Sequence, residues 1–377
     1  MSTTGQEAEE VRELVGRFAR DVVRPRASAI DHDDVFPRDV WQQACEIGLP
    51  GMAIPEELGG AGMSHRAMMV ALEELATASA TVANILMVQA CYAGFLVKYA
   101  PAELRDRFLP AILSGELIIA IGITEPDTGS DVRAVRTTAR RDGDEWVIDG
   151  TKQWITLAGD CDAVIMFCRS GEEHGGYELL LVEADRAGFQ RTELADLLGM
   201  RGESTGGLVL DGVRVPDANR IADPGRGLGV LMASLDYGRL AIAALALGIG
   251  RRAMEESISY ANTREAFGRP IGDFQGVSFR IADMQASLMA ARAVTHQGAE
   301  LMDAGLPCAM EASVAKLLAS EAAMAAASEA VLIHGGMGYS KELPLERLYR
   351  EAKLTQIYEG TNYIQRMIIS RSLLSER

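Results

Sequence analysis

Leu117-Ile118-Ile119-Ala120-Ile121-Gly122-Ile123-Thr124 is a continuous apolar run of strand length, and the texture of the chain changes at it. Upstream the chain reads as helices. Val11, Leu14, Val15, Phe18, Ala19 and Val22 recur three and four apart within 8–30, and the pattern continues over 39–47. Gly48-Leu49-Pro50-Gly51 breaks it, and further helical stretches follow in 64–99 and 102–114. Downstream, 145–156 carries Trp, Val, Ile and Thr around an Asp149-Gly150 turn. Residues 163–168, 177–182 and 208–215 are strand-like runs punctuated by Gly and Asp. Residues 216–229 are turn-rich, and helical periodicity resumes at Val230 with Ala-rich stretches such as 310–332. The layout is helices, then a small, mostly antiparallel β unit, then helices.

The totals bound the function. A chain of 377 residues with 48% hydrophobic content supports a large core and two or three domains. A formal charge of -16 repels phosphate backbones and anionic lipid, so nucleic-acid and membrane partners are not expected. Cys45, Cys91, Cys161, Cys168 and Cys308 show no paired spacing, which fits a reducing, cytoplasmic location. Residues 1–10 are polar and acidic, without a signal-peptide core. No apolar run reaches the ~18 residues of a membrane span. The longest candidate, 240–250, is rich in Ala and Gly and reads as a tightly packed buried helix.

Six segments hold residues with chemical uses. Thr124-Glu125-Pro126-Asp127-Thr128-Gly129-Ser130-Asp131 ends the apolar strand; it is either an ordinary loop or one whose free N–H groups and hydroxyls hold the polar edge of a flat ring or a phosphate. Gly150-Thr151-Lys152-Gln153-Trp154-Ile155-Thr156 places Trp154 two residues from Thr156, on one side of a strand. This is either a core tryptophan or an aromatic face with a hydroxyl beside it. Asp236 and Arg239, i and i+3, share a helix face and form a local ion pair or a polar site. In 260–275, Arg264 suits a pyrophosphate, Phe267 and Phe274 offer ring faces, and Gly268-Arg269-Pro270 reverses the chain; the segment also reads as a helix-loop-helix with a solvated arginine. His334-Gly335-Gly336-Met337-Gly338-Tyr339 lets a ligand approach the backbone, but it follows a helix and lacks the dinucleotide-binding context. His334 reads as a packed or capping residue. No His/Cys/Asp cluster has metal-site spacing, so no metal is expected. Finally, Ile357-Tyr358-Glu359-Gly360-Thr361 sets a carboxylate against an apolar, aromatic neighbourhood. That raises a carboxyl pKa toward the range of a useful base, although Gly360 also reads as a plain helix stop.

These motifs, in this order, resemble the acyl-CoA dehydrogenase flavoprotein family along nearly the whole chain. The matching residues are Thr124-Glu125-Pro126, Gly129-Ser130-Asp131, Trp154-Ile155-Thr156, Arg239, 260–270, Gln275, Gly335-Gly336, Gly338-Tyr339 and 357–361. The resemblance implies an α+β multidomain fold. It has an N-terminal α-helical domain over 1–118, a middle antiparallel β barrel or sandwich over 119–224, and a C-terminal four-helix bundle over 225–377. It implies FAD, contacted by Ile123, Thr124, Gly129, Ser130, Trp154, Ile155 and Thr156. Arg264, Phe267, Gln275, Gly335, Gly336 and Thr361 match positions that reach FAD, the first three of them that of a neighbouring subunit in a homotetramer. Ser130, Asp236, Arg239, Tyr358 and Gly360 fall on the substrate side.

The implied reaction is α,β-desaturation of an acyl thioester. Glu359 takes the α proton and flavin N5 the β hydride. The Glu359 N–H and a ribityl hydroxyl polarise the carbonyl, and an electron-transfer flavoprotein is the acceptor. Some subfamilies carry the base immediately before the residue matching Arg239, where this chain has Gly238, which cannot act. Leu332, Leu157 and Asn362-Tyr363 depart from the family pattern around the cofactor. No Arg occurs in 75–87 to bind a distal carboxylate, so a dicarboxylyl substrate is disfavoured. Three alternatives share the fold: an acyl or aminoacyl group on a carrier protein in place of CoA, a flavin-dependent oxygenase, and a non-catalytic flavoprotein. Glu359 argues against the last two.

Overall fold

The computed structural model describes residues 3–170 and 176–374; residues 1–2, 171–175 and 375–377, parts of the expected first, middle and third domains, lie outside it. The helices of the first part are α1 (Thr3–Phe18), α2 (Ala27–Asp33), α3 (Arg38–Glu46), α4 (His65–Ala76), α5 (Ala80–Tyr99) and α6 (Ala102–Ser114). Ser64 and Ser79 cap α4 and α5, each accepting from the backbone N–H three residues on, and Gly115 ends α6 in a left-handed conformation.

The sheet comprises β1 (Ile119–Gly122), β2 (Thr138–Asp142), β3 (Glu145–Ile155), β4 (Ala163–Ser170), β5 (Tyr177–Glu183), β6 (Phe189–Leu194) and β7 (Gly206–Pro216). Its order is β1-β4-β2-β3-β7-β6, with β5 on β4. Most pairings are antiparallel as expected, but β4 pairs in parallel with both β1 and β2. Burial explains this. Val164, Met166 and Cys168 of β4 enter one apolar core and Ala163, Ile165 and Phe167 the other. A strand buried on both faces reads as an unbroken apolar run, as parallel strands do. The Asp149-Gly150 pair is not a turn: β3 runs straight through it, with a bulge against β7 at Gly150. A methyl on Gly150 would lie 2.4 Å from Thr137 Oγ1, so only glycine fits. The actual reversal is at left-handed Gly143, between β2 and β3.

The last part is α7 (Gly227–Thr263), the β8–β9 hairpin (Glu265–Ala266, Arg269–Pro270), α8 (Gln275–Asp303), α9 (Ala309–His334), α10 (Leu345–Leu354) and α11 (Asn362–Leu374). The bundle is built on the three long helices α7, α8 and α9, with α10 and α11 packed on α9. Residues 238–250 of α7 are buried without exception, as expected for the Ala/Gly-rich stretch. Ala80–Tyr99, Gly227–Thr263 and Ala309–Tyr339 are long and apolar enough to cross a membrane by length and composition, which corrects the expectation that no segment reaches that size. Their apolar windows are 83%, 61% and 44% buried inside the protein.

Glu351 on α10 is buried, and its only ion-pair contact among the described residues, Arg347 Nε at 3.5 Å, is too long for a good hydrogen bond. Burial therefore wins and pushes its carboxyl up to about 7. An acid raised in the fold stabilises it below the unfolded value and loses that contribution as pH rises through about 7. Thermal unfolding should show stability falling between ~pH 4.5 and ~7 and levelling off above, and Glu351→Gln should remove on the order of 1–3 kcal/mol of that fall.

Candidate active site

Glu359 does not end a helix. It lies between α10, which stops at Leu354, and α11, whose first residue Asn362 donates its backbone N–H to Gln356 O. Glu359 and Gly360 are both left-handed, with φ of 53° and 86°. For glutamate this costs about 1–2 kcal/mol, so the surroundings must impose it. Gln365 Nε2 donates to Glu359 O at 3.1 Å and Gly360 O at 2.8 Å, and Lys316 Nζ donates to Gly360 O at 2.9 Å.

This geometry sends the Glu359 side chain against α7. A methyl on Gly238 would lie 2.7 Å from Glu359 Oε2. The glycine that removes an alternative base from α7 thus also makes room for the carboxylate. Burial pushes the Glu359 carboxyl up, and the positive charges of Arg239 and Lys316 offset part of the rise. Cys91 and Tyr92 of α5 lie near enough to Glu359 for its charge to add to the upward push of burial on both. Tyr237, its hydroxyl raised by burial and by Cys91, lies beside them. Arg239 is buried and donates to Asp236 Oδ1 at 2.6 Å, the expected pair; burial nevertheless pushes Asp236 up. Tyr358 buries a hydroxyl that has no hydrogen-bond partner among the described residues.

A second surface is built on the sheet. Ile123 and Thr124 follow β1 directly. Lys152 of β3, fully buried, donates to Ile123 O at 3.0 Å and Glu125 Oε1 at 2.8 Å. Burial alone would raise Glu125; hydrogen bonds from Lys152 and the backbone N–H groups of Arg136 and Thr137 outweigh it and hold the carboxyl low. Gly129 and Ser130 are exposed on the loop so fixed. Trp154 is 55% exposed, which excludes a core tryptophan. Strict alternation with Thr156 fails, because Trp154 is left-handed at a bulge and β3 ends at buried Ile155. The hydroxyls of Thr124, Ser130 and Thr156 have no hydrogen-bond partner among the described residues. Trp154 follows Gln153, whose backbone N–H donates to Thr124 O, so an exposed aromatic side chain and unused hydroxyls lie on adjoining segments, a set that suits a flat, polar-edged ring system such as a flavin.

The remaining expected residues stand elsewhere. Arg264 precedes the β8–β9 hairpin, whose tip is left-handed Phe267 and Gly268; the reversal lies there and not across Gly268-Arg269-Pro270, because Arg269 and Pro270 pair with Ala266 and Glu265 as β9. Phe267 is 96% exposed. Gln275 opens α8, and Gly335 and Gly336 lie exposed in the turn after α9. His334 is packed: it stacks on Tyr260 with ring centroids 4.3 Å apart. No group of three His, Cys, Asp or Glu among the described residues is placed to hold a metal.

The chain matches the models of the acyl-CoA dehydrogenase N-terminal domain over residues 5–116, middle domain over 120–213 and C-terminal domain over 225–374. It is 40% identical to an acyl-CoA dehydrogenase of Bacillus subtilis, covering 98% of each chain. It is 38% identical to the mitochondrial short-chain specific acyl-CoA dehydrogenase of Mus musculus, covering 97% of this chain and 89% of the relative. The structure of butyryl-CoA dehydrogenase from Megasphaera elsdenii superposes with a TM-score of 0.95 at 32% identity, covering 98% of both.

The chain belongs to the acyl-CoA dehydrogenase family. It is accordingly an FAD-dependent oxidoreductase acting on CH–CH groups. Sequence reading overlooked Lys316, whose signal was a lone cation in an Ala-rich helix, and the Lys152–Glu125 pair, whose signal was a lysine inside a strand. Gly238→Ala should push the Glu359 carboxylate aside. FAD content should stay near wild type while the rate of anaerobic flavin bleaching by an acyl-CoA falls by about 10²-fold.

Proposed function

We propose that this protein desaturates the α,β bond of a short-chain acyl-CoA, with Glu359 as the base. The observation that carries the reading is the Glu359 carboxylate, half-buried beside Gly238 and with its pKa raised by desolvation. An acid tuned upward is a stronger base once ionised, and a positioned base contributes about 10²–10⁴-fold. The ionised carboxylate takes the α proton, and the pair left behind delocalises onto the thioester oxygen. The Glu359 backbone N–H, which donates to no backbone oxygen among the described residues, is available to stabilise that oxygen. Thr124, Ser130, Trp154 and Thr156 would hold the flavin. FAD, when bound, supplies the acceptor for the hydride that leaves the β carbon as the double bond forms.

Tyr92 and Tyr358 lie near the Glu359 charge, and bulky side chains there favour a short acyl chain. The names of the relatives point the same way. An electron-transfer flavoprotein is the proposed electron acceptor. A homotetramer is the proposed assembly: Phe267, Phe279, Leu332, Tyr339 and Tyr363 leave large apolar side chains exposed on the C-terminal helices and their connections.

Anaerobic reduction by a panel of acyl-CoAs and carrier-protein thioesters tests the reading. Butyryl-CoA should bleach the flavin faster than octanoyl-CoA or any carrier-bound acyl group, and NADH alone should not bleach it. Glu359→Gln should keep FAD and lose about 10²–10⁴-fold in rate. The wild-type rate should climb with pH through the raised value of Glu359, above the ordinary ~4.3 of a glutamate. Full activity in Glu359→Gln would overturn the assignment.

A further inference from the structure

Two lysines in the described chain are fully shut off from water, Lys152 and Lys316. Lys152 has a carboxylate at 2.8 Å. Lys316, on α9, is in no ion pair among the described residues; its Nζ donates to two neutral oxygens, Gly360 O at 2.9 Å and Asn362 Oδ1 at 3.0 Å. An unpaired buried ammonium is unfavourable, and a methionine would fill such a space without that penalty. The surroundings show what the lysine is there for. Asn362 is fixed by reciprocal hydrogen bonds with Ser320 of α9, and Gln365 of α11 donates to the carbonyls of Glu359 and Gly360. Side chains from two helices thus grip the two carbonyls of the left-handed pair that aims Glu359. A left-handed glutamate persists only where its surroundings over-determine it.

Charge adds to geometry. Glu359 from the loop and Arg239 from α7 face Lys316. Glu359 in turn faces Arg239, Lys316, and Cys91 and Tyr92 of α5, with Tyr358 beside it and Asp236 paired to Arg239. Burial pushes Lys316 down to about 7; Glu359 opposes that fall and Arg239 adds to it.

We propose that Lys316 is a positioning residue for Glu359, fixing the loop through the Gly360 carbonyl and supplying positive charge that favours the ionised carboxylate. This rests on the reading of Glu359 as the base.

The test compares FAD-loaded wild type, Lys316→Met, Lys316→Gln and Glu359→Gln by anaerobic rapid mixing with butyryl-CoA across ~pH 5.5–9. Both lysine variants should retain FAD. Their limiting rate should fall about 10- to 100-fold with the butyryl-CoA concentration at half-saturation little changed. The ascending limb of the pH profile should move to higher pH, because Glu359 has lost a stabilising charge. Lys316→Gln, able to donate to Gly360 O, should recover part of the rate but not the position of the limb.

A lysine variant that keeps FAD and reproduces the wild-type rate and limb overturns the proposal. So does a lower rate with an unmoved limb, and so does failure of both variants to fold or bind FAD, since each of these describes a merely structural lysine. If Glu359→Gln reduces flavin at the wild-type rate, the base assignment falls and this inference with it. If Glu359→Gln is inert while the lysine variants match wild type, the base assignment stands and only this inference falls.

Discussion

An ammonium and a carboxylate 2.8 Å apart, both shut away from water, tie the centre of the sheet to the loop that leaves β1. A buried pair of this kind adds little net stability over apolar residues of the same size. Breaking one, however, strands a charge at a cost of about 3–5 kcal/mol. Lys152 and Glu125 therefore act as a latch with one permitted position. Lys152 also takes the Ile123 carbonyl, and Glu125 takes the N–H groups of Arg136 and Thr137, so both ends of the 123–137 excursion are fixed at one point. Thr124 and Ser130 sit on backbone whose path is set from inside the protein.

The same device joins the helical parts. Glu73 of α4 is buried, yet its carboxyl is held low: Arg292 of α8 meets it through two hydrogen bonds, and Arg251 of α7 lies within 3.2 Å. Burial opposes this and is outweighed. Arg350 of α10 grips Asp31 of α2 through both terminal nitrogens. Arginine suits these places because its planar fork meets both carboxylate oxygens and it keeps its charge when buried. The first and last thirds of the chain are thereby locked in register, and Glu359 on one meets Cys91 and Tyr92 on the other.

What could be read from the sequence follows from what has a local signature. Helical spacing located the N-terminal helices, the Leu117–Thr124 run marked the entry to the sheet, and an i,i+3 spacing identified the Asp236–Arg239 pair. The order of the motifs carried the family. The misreadings come from places where tertiary contact decides. Gly150 resembles a turn until Thr137 is seen to fill the space beside it. Trp154 and Thr156 look alternate until a bulge intervenes. The apolar length of α5, α7 and α9 was underestimated because isolated polar residues interrupt it, among them Lys316. The role of Lys316 depends on a loop more than forty residues away, and no local pattern announces it.

Phe267 stands almost wholly in solvent, yet it is not loose. Two consecutive left-handed residues close its turn, Phe274 meets its ring edge-on at 6.0 Å, and Arg269 lies 4.1 Å over Phe274. A surface that closes over this ring forfeits little conformational entropy, because the ring's direction was settled when the chain folded. A partner docking there would meet it as a rigid body, without folding on contact. The rate of that docking would be governed by diffusion and orientation, and its strength by how well the opposing surface fits a shape that already exists.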